Sequence, residues 1–231
     1  MIALTFHVEK LHDGLVWKNL LKFLKSSQKY LVYKPRFTFF IYPFRAAVAG
    51  KDVKAKIKIL HDMGHEIAQH THFYKGTKIE KPYKENDLSR DNIKYCLERD
   101  FSYIYQAIKI RPRGFVAGGW VVNNVVMEEL VTLGFEYDIS HFSFRTNPFI
   151  FEYNGKKLVE IPTDCSVGNY FKKFWIQTHR KKHGYLVVYL HDYDLLNFKT
   201  KWLVKLFLMI NKRKKFFCIK ELKDYIRNIS T

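Results

Sequence analysis

The chain has 231 residues, of which 47% are hydrophobic and 17% aromatic, so it is long and apolar enough to bury a core, and its composition excludes a disordered protein. Lysine and arginine outnumber aspartate and glutamate by 40 to 22, which gives a net charge of +18. Such a charge favours an acidic partner, namely nucleic acid, an anionic membrane surface or an anionic glycan. The cations are spread along the chain, with short runs at 179–183 and 211–216, so charge alone does not select one partner.

The cysteines and the first residues of the chain indicate a compartment. Cys96, Cys165 and Cys218 are odd in number, lie far apart and form no CxxC pair, so we expect no disulfide framework. The opening MIALTFHVEK has the pattern of a strand and lacks the basic flank and apolar run of a signal peptide. The longest apolar stretch, 202–210, is too short to span a bilayer. We therefore expect a cytoplasmic protein, either free or at the inner face of the membrane.

Strand-like and helix-like segments alternate along the chain. Strands are predicted at 2–6, 36–44, 65–71, 135–140, 184–191 and 215–219, with a hairpin over 149–162 that turns at Asn154-Gly155. Helices are predicted at 14–27, 51–64, 87–107, 123–134, 200–211 and 220–229. This order is typical of the α/β class, and about seven strand–helix units favour a closed or nearly closed TIM-like barrel over an open sheet. Because no repeat or linker interrupts the pattern, we expect one domain over 1–231.

Polar side chains stand at the carboxyl ends of several predicted strands, where parallel β/α barrels hold their chemistry. Glu9 follows His7 by two residues and His72 follows His70 by two, so each pair shares one face of an extended strand. Other strands end at Asp138 and His191. Two imidazoles and a carboxylate that converge are the usual ligands of catalytic zinc, with coordination positions left for water. His65, in contrast, opens its strand, and we expect it to satisfy backbone groups there.

Five blocks, in this order, resemble the motifs of the polysaccharide deacetylases, the NodB-homology or carbohydrate esterase 4 group: LTFHVE, GHEIAQHTHFY, GFVAGGW, LGFEYDIS and VVYLHDYDL. The resemblance implies a distorted (β/α)7 barrel that removes acetyl groups from N-acetylated sugars with a divalent metal, for which Zn²⁺ is the expected ion. It assigns the metal to Glu9, His70 and His72, with His7 left open as an alternative third ligand. His7 stands where the family has its base, and His191 where it has its acid. We expect Asp138 to orient one of the imidazoles.

Three positions depart from the family pattern. His7 replaces the aspartate that acts as base, and Val116 replaces the arginine that contacts this aspartate. These two changes are consistent with each other, because a neutral base needs no cationic partner. Tyr74 replaces the second histidine of the HxxxH motif, which leaves His72 as its substitute. Three alternatives stay open: a retuned deacetylase, a hydrolase of another non-peptide carbon–nitrogen bond, or a member that binds glycan without hydrolysis.

The remaining sequence features concern partners. Trp120, Tyr74 and Tyr193 adjoin motif residues and are predicted to stack on the apolar faces of a sugar. The substrate is predicted to be an N-acetylated sugar or glycan, anionic or lipid-linked. The segment 200–215 is either a basic amphipathic helix that lies on a membrane or a buried barrel helix followed by a solvated turn. No nucleic-acid-binding motif appears, so binding of nucleic acid would rest on charge alone and is not expected.

Overall fold

A computed structural model describes residues 1–74, 87–143, 146–172 and 184–229. The basic run at 179–183 lies outside these residues. The strands are β1 Ile2–Val8, β2 Thr38–Ile41, β3 Glu66–Thr71, β4 Gly114–Ala117, β5 Tyr137–Asp138, β6 Phe149–Tyr153, β7 Lys156–Glu160, β8 Cys165–Ser166 and β9 Leu186–His191. The helices are α1 Gly14–Tyr30, α2 Phe44–Val48, α3 Lys54–Asp62, α4 Arg90–Ile108, α5 Asn124–Leu133, α6 Val167–Lys172, α7 Phe198–Ile210 and α8 Ile219–Ile229. Short 3₁₀ turns follow β4 at Gly118–Trp120 and β9 at Asp192–Leu196.

The nine strands form one sheet in the order β6-β7-β5-β4-β3-β2-β1-β9-β8, curled into a half-barrel. Neighbouring strands are parallel except for the hairpin of β6 and β7. The α/β class with a mainly parallel sheet is therefore confirmed. β4 and β8 have only four and two residues, and so short a run gives little periodicity to detect. The predicted strand at 215–219 is wrong, because only Phe216 pairs there, in a single bridge with Ile2.

Local sequence signals explain where several elements begin and turn. The side chain of Asp13 accepts hydrogen bonds from the amides of Leu15 and Val16 and so caps α1. The predicted hairpin turn is present, since Asn154 and Gly155 both have positive φ, as a type I′ turn requires. β1 is buried along its whole length, which suits a central parallel strand covered on both faces.

The sheet order decides which strand ends meet. β1 lies between β2 and β9, and β3 follows β2, so the carboxyl ends of β1, β3 and β9 lie near one another at the same edge. His7 is directly in register with His191 across β1 and β9. The structure thereby gathers three of the polar strand ends that the sequence singled out. Within the described residues, no helix is long and apolar enough to cross a membrane.

Candidate metal centre and catalytic site

Glu9 stands at the centre of a cluster of imidazoles. Its Oε1 lies 3.6 Å from Nε2 of His70, 3.6 Å from Nε2 of His72 and 3.8 Å from Nε2 of His191. His70 is buried, and the other three side chains are mostly buried. The predicted ligands Glu9, His70 and His72 are therefore brought together, and the predicted acid His191 lies beside them.

Hydrogen bonds orient the two imidazoles of β3. Nδ1 of His70 lies 3.0 Å from the carbonyl oxygen of Val116, which can only accept, so His70 carries its proton on Nδ1. In the neutral form of His70, Nε2 has a lone pair that can accept a hydrogen bond from Nε2 of His72, 3.2 Å away. Nδ1 of His72 in turn accepts from the hydroxyl of Tyr74 at 2.7 Å. This chain of bonds fixes the tautomers and directs both Nε2 atoms toward Glu9.

These residues suit a divalent cation. Glu9, His70 and His72 each offer one donor atom, and the three atoms lie within 4.8 Å of one another. Two neutral imidazoles and one carboxylate form a donor set that zinc commonly occupies in catalytic sites. When His72 offers Nε2 as a ligand, its proton moves to Nδ1, and the Tyr74 hydroxyl can reverse from donor to acceptor. His7 is not a member of this set.

Arg45 contacts the candidate site and was not singled out from the sequence. Its guanidinium donates to Oε2 of Glu9 at 2.9 Å, on the carboxylate oxygen that does not face the imidazoles. Burial would raise the pKa of Glu9, but the electrostatic contact with the imidazoles of His70 and His72 holds it well below its usual range. Arg45 follows β2, the strand beside β1, so the contact arises from the pairing of these strands, and no spacing in the sequence indicates it. A cation thus contacts the site although position 116 is valine.

His7 lies deeper in the same edge of the sheet. It is 3% exposed, its ring stacks on Tyr189 with a centroid distance of 5.0 Å, and its Nε2 has no hydrogen-bond partner among the described residues. Burial, with the nearby His70 and His191, brings the pKa of His7 well below its usual value. The imidazole is therefore neutral near pH 7 and has a lone pair available to accept a proton.

His191 has the opposite electrostatic environment. Burial alone would lower its pKa, but the contact with Asp194, 3.5 Å from Nδ1, and the charge of Glu9 outweigh burial and raise it. Asp192, buried beside it, was not predicted to act in the site. Its carboxylate accepts from the backbone amides of Glu9 and Lys10, and thereby ties the ends of β1 and β9 together. The two imidazoles His7 and His191 thus differ in the form that each favours.

The glycines of the GFVAGGW block have a geometric reason. A Cβ on Gly118 would lie only 2.2 Å from Cγ of His72, so this position requires a residue without a side chain. Gly119 has a φ of +65°, in the left-handed region that favours glycine. The block therefore lets the chain after β4 pass directly over the ring of His72.

Asp138 lies apart from the imidazole cluster. Its Oδ1 accepts from the amide and the hydroxyl of Ser140. The structure thus gives Asp138 a different partner from the imidazole that we expected. It is in register with Glu160 of β7, and burial raises the pKa of both carboxyl groups. Sequence reasoning placed Glu160 in a hairpin and missed this pairing.

The three predicted sugar-stacking aromatics lie around the cluster. Trp120 stacks on Phe142 and its ring is 5.3 Å from that of His7. Tyr193 stacks on His191 at 4.8 Å, and the ring of Tyr74 stacks on His72 at 5.0 Å. Each is partly exposed. Tyr74 thus holds a candidate ligand with both its ring and its hydroxyl, and its contact with a sugar stays a prediction.

His65 has the structural role expected of it. Its Nδ1 accepts a hydrogen bond from the backbone amide of Phe37 at 3.3 Å, and its ring stacks on that of Phe37. Burial lowers its pKa to about 4, so it stays neutral at physiological pH. The first histidine of GHEIAQHTHFY therefore joins two strands and lies outside the cluster.

Comparisons with known proteins concern the family and the fold of the chain. The family model described as polysaccharide deacetylase matches residues 1–137. No curated protein matches the chain significantly. Among solved structures, a protein from Mycobacterium smegmatis described as a polysaccharide deacetylase is 16% identical with a TM-score of 0.76, over 99% of this chain and 90% of that one. The allantoinase PuuE is 14% identical with a TM-score of 0.66, over 96% and 89%.

A third solved structure has a different functional description. A carbohydrate esterase 4 pseudoenzyme from Bacillus anthracis is 14% identical with a TM-score of 0.58, over 96% of this chain and 65% of that one. At such identities the likenesses concern the fold, and they confirm the distorted (β/α)7 barrel.

Proposed function

The chain belongs to the polysaccharide deacetylase family, and we propose that it is a metal-dependent hydrolase that removes an acetyl group from an N-acetylated sugar. The observation that carries this proposal is the convergence of Glu9, His70, His72 and His191 on one point at the carboxyl edge of the sheet. Glu9, His70 and His72 would hold a divalent cation there, which would supply a Lewis acid for the acyl oxygen and an activated water.

The two other imidazoles provide for the movement of protons. His7 is neutral at physiological pH, so its Nε2 can accept the proton that the attacking water loses. The raised pKa of His191 favours its protonated form, which can donate to the amine nitrogen as the carbon–nitrogen bond breaks. Opposite pKa shifts in neighbouring groups are the usual basis for assigning base and acid. The products are acetate and the free amino sugar.

The proposed substrate is a surface polysaccharide or its precursor. Trp120 and Tyr193 border the cluster and provide flat apolar surfaces of the kind that sugar rings stack on. The net charge of +18 supports an anionic or lipid-linked form of this glycan. Within this proposal Tyr74 acts on the substrate indirectly, through the orientation of His72.

A second candidate is a site that binds glycan without hydrolysis. Its support is the deep burial of His7, which is 3% exposed where an aspartate is expected, together with the likeness to a solved pseudoenzyme. The likeness to an allantoinase supports a variant of the first candidate, in which another non-peptide carbon–nitrogen bond is cleaved.

Acetate release separates the candidates. The metal-stripped chain, reloaded with Zn²⁺, is incubated with N-acetylglucosamine oligomers and with their anionic derivatives, and free acetate is measured. We expect turnover that His191→Asn lowers by about 100-fold or more, within the range of a general acid, whereas His141→Asn leaves turnover unchanged. Zinc-loaded protein that binds the oligomers but releases no acetate would favour the second candidate.

A further inference from the structure

A groove lies between helices α1 and α7, in the helix layer outside β1 and β9. It encloses about 340 Å³, and we call it the α1/α7 groove. Its lining includes the apolar or aromatic Phe23, Tyr30 and Leu208 and the lysines Lys22, Lys201 and Lys205. The lysines are exposed, and Nζ of Lys205 lies over the ring of Tyr30 at 5.2 Å. The groove therefore has an apolar interior and a cationic rim.

Large apolar side chains extend from one end of this groove into solvent. Phe198 is 83% exposed, Trp202 is 54% exposed and Leu15 is 59% exposed. Phe198 continues the helical stripe of Lys201 and Lys205, and Leu15 precedes Lys22 by seven residues on the face of α1 that borders the groove. Helix α7 is thus two-sided, since it also buries Val204, Phe207 and Leu208 against the core.

The exposed end lies on the same side of the molecule as the candidate metal site of Glu9, His70 and His72. Helix α1 follows β1 and helix α7 follows β9, and these neighbouring strands are parallel. Both helices therefore begin at the carboxyl edge of the sheet, where Glu9 and His191 lie. Leu15 and Phe198, in the first turns of the two helices, border that edge.

The charge of this surface indicates what can cover it. Helices α1 and α7 contain seven lysines and no aspartate or glutamate. A second copy of the chain joined by a two-fold axis would place lysines against lysines, which is repulsive. An anionic bilayer suits both features, because lysines attract its phosphates while Trp202 and Phe198 enter the interface between headgroups and acyl chains.

We propose that the surface formed by the α1/α7 groove with Leu15, Phe198 and Trp202 binds an anionic lipid bilayer. The groove lysines contact lipid phosphates, and the exposed aromatic side chains insert beside them. In this orientation the carboxyl edge of the sheet lies next to the membrane surface. The inference stands independently of the proposed hydrolysis, because it uses none of the residues of the candidate metal site.

Vesicle sedimentation of the full chain tests this proposal. One set of vesicles contains three parts phosphatidylcholine to one part phosphatidylglycerol, and the other contains phosphatidylcholine alone. We expect binding to the first set that weakens with added salt, and at least about tenfold weaker binding to the second. Lys201→Glu is expected to lower the affinity for the anionic vesicles by roughly fivefold or more, since each lysine near the surface contributes that much.

Matched substitutions on β6 and β7, which stand at the end of the strand order away from β1 and β9, control for net charge and hydrophobicity. Lys156→Glu, at an exposed position of β7, makes the same charge change as Lys201→Glu. Phe149→Ser removes an exposed phenylalanine of β6, as Phe198→Ser does near the groove. We expect Lys201→Glu and Phe198→Ser to weaken binding to the anionic vesicles, and the two control substitutions to leave it unchanged. Equal losses in the controls, equal binding to both vesicle sets, or no vesicle binding would overturn the proposal. So would self-association in ultracentrifugation that Phe198→Ser abolishes, because it would identify a second copy as the occupant.

Discussion

Two clusters of buried ionisable groups lie at the same edge of the sheet and differ in what their atoms can still bind. In the cluster of Glu9, His70 and His72, hydrogen bonds from outside direct the candidate ligand atoms inward to a common point. In the pair of Asp138 and Glu160, burial raises both pKa values and so favours a protonated carboxyl group. A polar residue at a strand end is thus not enough to make a binding site, because the atoms around it decide whether its donor atoms stay available.

The largest expected difference is between His70→Ala and Asp138→Asn. His70→Ala removes a ligand, so we expect zinc affinity and acetate release to fall by more than the roughly 10- to 100-fold typical of changes beyond the direct ligands. Asp138→Asn replaces a carboxyl group of the protonated pair with an amide of similar shape, and zinc affinity should not change. Competition with a chromogenic chelator measures both affinities. Equal loss in the two variants would remove the distinction between the clusters.

Gly118→Ala tests how closely the chain after β4 packs against His72 of the candidate metal site. The added Cβ would lie 2.2 Å from Cγ of His72, so the ring must shift. A ligand displaced by about 1 Å is expected to cost about 100-fold in acetate release. Gly14→Ala is the matched control, because nothing lies within 4 Å of a Cβ at that position. Normal turnover by Gly118→Ala would show that His72 is not held where it is needed.

Tyr74→Phe tests whether the tyrosine at the expected histidine position supports a ligand. Loss of the hydroxyl leaves Nδ1 of His72 without this partner, and we expect zinc affinity to fall by roughly 10- to 100-fold. Tyr42→Phe is a close control, because Tyr42 packs on the same imidazole at 4.7 Å while its hydroxyl has no hydrogen-bond partner among the described residues. An unchanged affinity in Tyr74→Phe would limit Tyr74 to packing or to sugar contact.

Glu160→Gln is expected to have the smallest effect, and on stability alone. The folded chain holds a proton that the unfolded chain releases near pH 4.3, so stability is fully present below that pH and declines as pH rises toward the raised pKa of Glu160. The variant cannot titrate at this position, so its Tm should decline less as pH rises above about 4.3. The difference corresponds to at most about 1.4 kcal/mol of unfolding free energy per pH unit. Glu152→Gln, at an exposed position, is the control, and its Tm should vary with pH as that of the unsubstituted chain does. Parallel plots of Tm against pH for Glu160→Gln and the unsubstituted chain would contradict the raised pKa of Glu160.

The sequence predicted those features that depend on local pattern. The hairpin turn follows from Asn154-Gly155, and the shared face of His70 and His72 follows from their spacing of two on a strand. The order of the blocks also identified the family, which the match over residues 1–137 shows. Local chemistry and strand period were sufficient for these conclusions.

The features that were missed depend on contacts between distant parts of the chain. Arg45 bonds to Glu9 across 36 positions, and no spacing in the sequence links the two. The partner of Asp138 is set by the register of β5 with β7, which pattern alone leaves open. β4 and β8 were missed because their few residues carry no clear periodicity. Tertiary packing therefore decided these parts of the fold and site.

The most direct test of the candidate metal site is anomalous scattering at the zinc absorption edge from a crystal grown with Zn²⁺. We predict one strong peak bounded by the carboxylate of Glu9 and the Nε2 atoms of His70 and His72, at about 2.0–2.2 Å from each donor atom. A peak coordinated by His7 in place of Glu9 would correct the ligand set. The absence of a peak at this edge of the sheet, or a peak elsewhere only, would contradict the central claim that these three residues hold a metal.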